Sequence, residues 1–334
     1  MVDVSYKPNP RSAEDVSPTR TKFVKDALSI QPVTVDKIGQ SFQDAWNQVN
    51  LVDPIDTNIT VVAGIAQHPT RLMHENAFYY HQFALCIEGE MVVQNLANGN
   101  IYYGKPGDLY YWAPGLHIML GGPFKAYFVK TPIPSRWVLT PEGKQGVPMF
   151  ELVNETRLEG SPPTEVRPVR PWQSGVNRGP RMKFLRGATD AQTTSVADTA
   201  GRLDAWKQVE LVNPTDTDFT AVAGIAEHPT NTEIEWKQRR HQVVLVLDGE
   251  LVSEDADTGA TYKAHKGDVI YWPPGQNIRL GGAFRAYYVQ TPITRRWIST
   301  ADGARYMDLE NIDGEGVYED SSPDKISEER ITEV

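Results

Sequence analysis

Residues 44–70 read DAWNQVNLVDPIDTNITVVAGIAQHPT, and residues 204–230 read DAWKQVELVNPTDTDFTAVAGIAEHPT. The correspondence continues at the same spacing: His81 matches His241, Trp112 matches Trp272, and Trp137 matches Trp297. About half of the positions in 44–140 recur in 204–300, and no insertion or deletion interrupts the alignment. Two segments that keep every turn length need the same backbone path. The chain therefore holds two copies of one structural unit.

Within each copy, short apolar runs alternate with turn residues. Ile59–Ile65 and Phe219–Ile225 are β-branched runs ending near glycine. Phe83–Ile87 and Val243–Leu247 are continuous apolar strands expected to stop at turns formed by Glu88-Gly89-Glu90 and Asp248-Gly249-Glu250. Asn98-Gly99 and Thr258-Gly259 mark hairpins. Pro106-Gly107-Asp108 and Lys266-Gly267-Asp268 mark the next turn, and Pro114-Gly115 and Pro274-Gly275 the one after. Ala126–Lys130 and Ala286–Gln290 close the unit. A short helix near Asp44–Gln48 is the one helical expectation. Short strands at regular spacing predict an all-β fold of two tandem jelly-roll barrels.

The expected organisation is a flexible arm at 1–21, a first domain at 22–158, a linker at 159–182, a second domain at 183–306 and an acidic tail at 307–334. The linker is rich in Pro, Gly and Arg, and Trp172 within it is a candidate anchor against a barrel. Similar phrases, KFVKDAL at 22–28 and KFLRGAT at 183–189, suggest that each unit begins with a leading strand.

The chain has 334 residues, enough for two ordinary cores, with a net charge of −10. That charge argues against a nucleic-acid or anionic-membrane surface. The stretch after Tyr306 carries ten acids against Lys325 and Arg330 and is expected to be solvated chain. Cys86 is the single cysteine, so no internal disulfide forms and a reducing, cytoplasmic compartment is expected. The N-terminus lacks the apolar core of a secretory signal, and no run reaches membrane-span length.

The run Gly107-Asp-Leu-Tyr-Tyr-Trp-Ala113-Pro-Gly115, its copy Gly267–Gly275, and the phrases IEGEM and LDGEL resemble the motifs of the cupin superfamily. Each half is most similar to cupins of the ethanolamine-utilisation type, over about 100 residues. The resemblance implies a bicupin. It also implies where a metal would sit, on two His and one Glu of the first motif and one His of the second. Gln82 and Gln242 stand at the Glu position, and Ile118 and Ile278 at the second-motif His. The remaining two His fall among Glu75–Phe78 and Glu235–Gln238, where no His occurs. A neutral amide is a poor ligand for a divalent cation and isoleucine is none, so no metal and no other cofactor is expected.

The candidate site residues follow from the same frame. Strand alternation places Tyr80, Gln82, Ala84 and Cys86 on one face, the lumen side by the cupin frame. His81 and His241 fall on the opposite phase, at the barrel mouth or the intersheet edge. His81, Tyr80, Gln82, His241 and Gln242 are the candidate catalytic groups. Phe78, Tyr79, Tyr111 and His117 in the first copy, and Trp236, Lys237, Arg239, Arg240 and Tyr271 in the second, are candidate substrate contacts. The lead-ins 71–80 and 231–240 differ most between copies, aromatic in the first and cationic in the second. Two unequal pockets, or one working pocket, are expected. Histidine and tyrosine in a dry barrel suit proton transfer. The expected function is a metal-independent enzyme of the isomerase, epimerase, cyclase or lyase type acting on a small organic molecule. A dioxygenase or decarboxylase with atypical ligands and a non-catalytic small-molecule binder stand as alternatives. A homodimer is left open. No Gly-rich phosphate loop supports a kinase.

Overall fold

The structure, a computed structural model, describes residues 21–34, 47–57, 61–78, 80–131, 135–140, 143–148, 181–195, 206–214, 216–217, 220–230, 232–238, 240–291, 295–300 and 303–308; for 135–140, 143–148, 295–300 and 303–308 it describes the backbone alone. The arm, the linker with Trp172, the acidic tail, Tyr79 and Arg239 lie outside the described residues.

Each copy of the repeat builds one large sheet around its apolar strands. In the first, the order is Met182–Leu185, Leu109–Trp112, His81–Gly89, Phe124–Thr131, Val62–His68, Asn47–Val52, Val33–Thr34, all antiparallel. In the second it is Lys22–Val24, Val269–Trp272, His241–Asp255, Phe284–Thr291, Val222–His228, Lys207–Val212, Thr194–Ser195. A smaller sheet completes each barrel. In the first copy it runs His74–Ala77, His117–Gly121, Met91–Asn95, Ile101–Gly104.

The leading strands are exchanged. Lys22–Val24 pairs with Val269–Trp272 of the second copy, and Met182–Leu185 pairs with Leu109–Trp112 of the first. A buried aspartate pins each exchange. Asp268 accepts the Asp26 backbone N–H at 2.6 Å, and Asp108 accepts that of Gly187 at 2.8 Å.

Two local expectations change. Asn47 and Gln48 belong to a strand, Asn47–Val52, and not to the expected helix near Asp44–Gln48, whose residues 44–46 lie outside the described residues. The strand, with Val49 and Leu51 on alternate positions, joins a sheet whose cross-strand pairing outweighs any weak helical tendency. The Glu88-Gly89-Glu90 phrase ends the strand His81–Gly89 as expected, but Asp248-Gly249-Glu250 does not end its counterpart. The second copy's strand runs unbroken from His241 to Asp255, passing from the large sheet to the small one. Gly89 and Gly249 take φ of 74° and 78° at that bend, and a side chain there would meet the backbone of Pro123 or Ala283.

Strand alternation sorts the core into layers. Phe83, Leu85, Tyr111, Tyr127 and Val129 face Val243, Leu245, Tyr271, Tyr287 and Val289 across a single apolar layer between the large sheets. Thr131 and Thr291 hydrogen-bond at 3.0 Å, and the rings of Tyr127 and Tyr287 meet edge to face at 6.2 Å. Each large apolar side chain buried here contributes about 1.5–3 kcal/mol. The shared layer thus binds the barrels to each other far more strongly than isolated surface contacts could. The opposite faces fill the lumens. Phe78, Tyr102, Tyr110, Trp112, Ile118 and Phe184 fill the first. Val244, Val246, Ile270, Trp272, Ile278 and Tyr288 fill the second.

Candidate functional site

The mouth of each lumen is set by the strand after the divergent lead-in. On His81–Gly89, the even residues Gln82, Ala84 and Cys86 point into the barrel, and the odd ones point to the layer between barrels. Gln82 is opposite Lys130 on one side and Trp112 on the other. Lys130 shares the phase of Ala126 and Phe128, so it rises from the lumen wall at the mouth. Its Nζ lies 4.6 Å from the centre of the Phe128 ring and 5.4 Å from that of Tyr80. The aromatic faces stabilise the ammonium in part. No carboxylate pairs with Lys130 among the described residues. Burial lowers its pKa from 10.5 to about 8 and raises that of Tyr80 to about 12. Phe78 stacks on Trp112 at 5.1 Å and forms the floor.

The second mouth has a different polar set. Gln290 replaces Lys130 opposite Gln242. Gln242 Oε1 accepts from Gln238 Nε2 at 2.8 Å and from Gln290 Nε2 at 2.9 Å, and Arg240 Nη1 donates to Gln290 Oε1 at 2.7 Å. The amides satisfy one another, and the arginine is engaged in that network. Trp236 packs on Trp272, the rings 6.0 Å apart and near perpendicular. The second lumen is thus a self-satisfied plug, and the first holds a cation with no counter-charge among the described residues.

Several expected site residues lie elsewhere. His81 and His241 face the layer between barrels, apart from Gln82 and Gln242. His81 Nδ1 is 2.8 Å from Tyr111 Oη, and His241 Nδ1 is 2.7 Å from Tyr271 Oη. Tyr111 in turn donates to the Asp216 carbonyl at 2.9 Å. Burial lowers His241 to about 4, so it is neutral near pH 7. The four residues form paired interface contacts and do not line either lumen, because a one-residue change of phase crosses the sheet. His117 is exposed and lies 3.6 Å from Glu75, and Lys237 is also exposed; neither reaches the lumen. Lys130, Gln238 and Gln290 were missed. The signal was present in the strand phase, since Lys130 is even-numbered on a strand whose other even residues are apolar.

The fold's usual metal position does not fit these residues. Ile118 and Ile278 are fully buried hydrocarbon, and Gln238 is committed to Gln242. Burial raises the lumen thiol of Cys86 to about 12, far from a thiolate. Among the described residues, no group of three or more His, Cys, Asp or Glu could hold a metal ion. Among the same residues, no helix is long and apolar enough to cross a membrane.

No family model matches the chain. No curated protein matches it either. Solved structures do. A glyoxylate-induced protein from Pseudomonas aeruginosa matches at 14% identity and TM-score 0.55, covering 88% of this chain and 96% of that one. The salicylate 1,2-dioxygenase of Pseudoaminobacter salicylatoxidans, in complex with gentisate, matches at 15% identity and TM-score 0.52, covering 87% and 86%. Streptomyces albus HEPD, with 2-hydroxyethylphosphonate and Fe(II) bound, matches at 11% identity and TM-score 0.52, covering 86% and 78%. Enzymes are thus among the chain's fold neighbours. Identities this low establish the fold alone and do not carry the finer resemblance to ethanolamine-utilisation cupins. In fold, the chain is a bicupin: two cupin barrels on one polypeptide, back to back, each completed by the other's leading strand.

Proposed function

We propose that the first barrel carries a metal-independent active site that binds a small organic anion at its mouth and transfers a proton on it. The observation that carries this reading is the Lys130 ammonium, set between Tyr80 and Phe128 and lacking a carboxylate partner among the described residues. A desolvated cation is costly unless an anion compensates it. A bound carboxylate would supply that charge, and the Gln82 amide beside it would donate a directing hydrogen bond. The aromatic floor of Phe78 and Trp112 would take the apolar part of the ligand.

Lys130 and Tyr80 are then the proton-handling pair. With a pKa of about 8, Lys130 exchanges protons near neutral pH. Tyr80, held at about 12, stays protonated and acts as a hydrogen-bond donor or acid. The Fe(II) of the Streptomyces enzyme has no matching donor set among the described residues here, so no step is drawn through a metal. The second barrel, its mouth closed by the Arg240–Gln290–Gln242–Gln238 network, supports the first through the shared layer.

NMR in D2O on a panel of small carboxylates and 2-oxo acids tests this. Saturation transfer from the protein reads binding, and loss of the α-proton signal reads proton transfer. Lys130→Met should abolish both, and Tyr80→Phe should lose the second while keeping the first. Binding that is undiminished in Lys130→Met, or no proton washout from any acid, would overturn the proposal.

A further inference from the structure

Resting on that reading, we infer that Lys130 takes carbonyl acids in particular and captures them covalently as an imine. The geometry separates Lys130 from an ordinary anion clamp. Its Nζ stands against the faces of Tyr80 and Phe128, at the mouth of a lumen lined, apart from the Gln82 amide and the Cys86 thiol, with hydrocarbon and aromatic rings. Anion clamps use a fork of charged donors that stay protonated. Here the donor is a single primary amine, and the second barrel replaces it with Gln290. An amine in apolar surroundings is the arrangement that keeps part of a lysine neutral and nucleophilic.

With a pKa of about 8, roughly one Lys130 in ten is neutral at pH 7, against about one in three thousand for a lysine at 10.5. The neutral nitrogen forms a C–N bond to the carbonyl carbon, and the carbonyl π pair becomes an alkoxide that takes up a proton. Tyr80, whose ring centre lies 5.4 Å from Nζ, is the candidate donor of that proton. The carbinolamine then loses water. The C–O bond breaks, the C=N bond forms, and both amine protons leave in the net reaction as part of that water. No electron is transferred and no further reactant is needed. The neutral imine takes up one proton from solvent, and the resulting iminium acidifies the neighbouring C–H, which is the proton that the proposed function moves.

Pyruvate with sodium cyanoborohydride at pH 7, on the full chain, tests the inference by intact mass and peptide mapping. The expected result is one reduced adduct, on Lys130, formed at least ~10-fold faster than on exposed Lys237. Lys130→Arg should give no adduct at that position but should still show a rise in melting temperature with pyruvate. If the wild type shows that rise and Lys130 gains no adduct, imine capture is wrong and the anion site stands. If neither the rise nor the adduct occurs, both proposals fail. Labelling spread evenly over the lysines also overturns imine capture.

Discussion

Replacing Lys130 with methionine should make the protein more stable and less functional at once. The substitution keeps an unbranched side chain against Phe128 and Tyr80 and removes the charge. Burial lowers the lysine from 10.5 to about 8. The unfolded chain holds its proton up to about pH 10.5 and the folded chain only to about pH 8. Between these values the unfolded state binds more protons, so stability rises with pH. Below pH 8 the folded protein carries the whole penalty. At about 1.4 kcal/mol per tenfold change in proton affinity, this penalty is about 3 kcal/mol as an upper limit. The side chain keeps part of its surface in water, which screens the effect, so ~1–2 kcal/mol is expected. Lys130→Met should therefore unfold at higher urea than the wild type at pH 7, and the gap should close as pH rises toward 10. Urea titrations of both proteins at intervals of one pH unit from 7 to 10 read the difference directly, with other titrating groups cancelling. A gap that does not change with pH, or a variant less stable at pH 7, would refute the desolvated lysine and the site built on it.

Two further outcomes test the structure away from the mouth. His241 is held near 4 by burial against an unfolded value of 6.5. Its contribution is present above pH 6.5 and is lost as pH falls toward 4, so His241→Gln should lessen the acid-dependent loss of unfolding free energy in that window by up to about 3 kcal/mol, read by urea titration. Unchanged acid sensitivity would mean that the ring is not buried neutral. Trp272 Nε1 donates to Ser253 Oγ at 3.0 Å, but Val93 stands at that place in the first barrel, and Trp112 Nε1 has no hydrogen-bond partner among the described residues. Ser253→Val should cost about 1–3 kcal/mol in chemical unfolding and Val93→Ser should be neutral or stabilising, an asymmetry that equal losses would contradict.

Much of this protein is legible in its repeat. The constant spacing of Trp46, Trp112 and Trp137 with Trp206, Trp272 and Trp297 establishes two like units, and the turn glycines set the strand boundaries within a few residues. Gly107 and Gly267 both adopt φ of 91° at the turns read from Pro-Gly-Asp and Lys-Gly-Asp. That Gln82, Gln242, Ile118 and Ile278 stand where the resemblance would put metal ligands was also legible, because side-chain identities are not altered by folding.

What the sequence could not decide is which neighbour each face meets. Period-two alternation separates Gln82 from His81, but only the packing of two sheets back to back makes the histidine face a dry interface and not a mouth. Local pattern likewise finds the strands Lys22–Val24 and Met182–Leu185, yet their exchange between barrels depends on contacts across 242 and 79 residues of chain. Lys130 shows the same limit. Its phase was readable, but its lowered pKa arises from burial beside Phe128 and Tyr80, a property of assembled surroundings. Composition and spacing determine local geometry because they act through the backbone. Charge state and partnership depend on what surrounds a group in space, and tertiary structure alone supplies that.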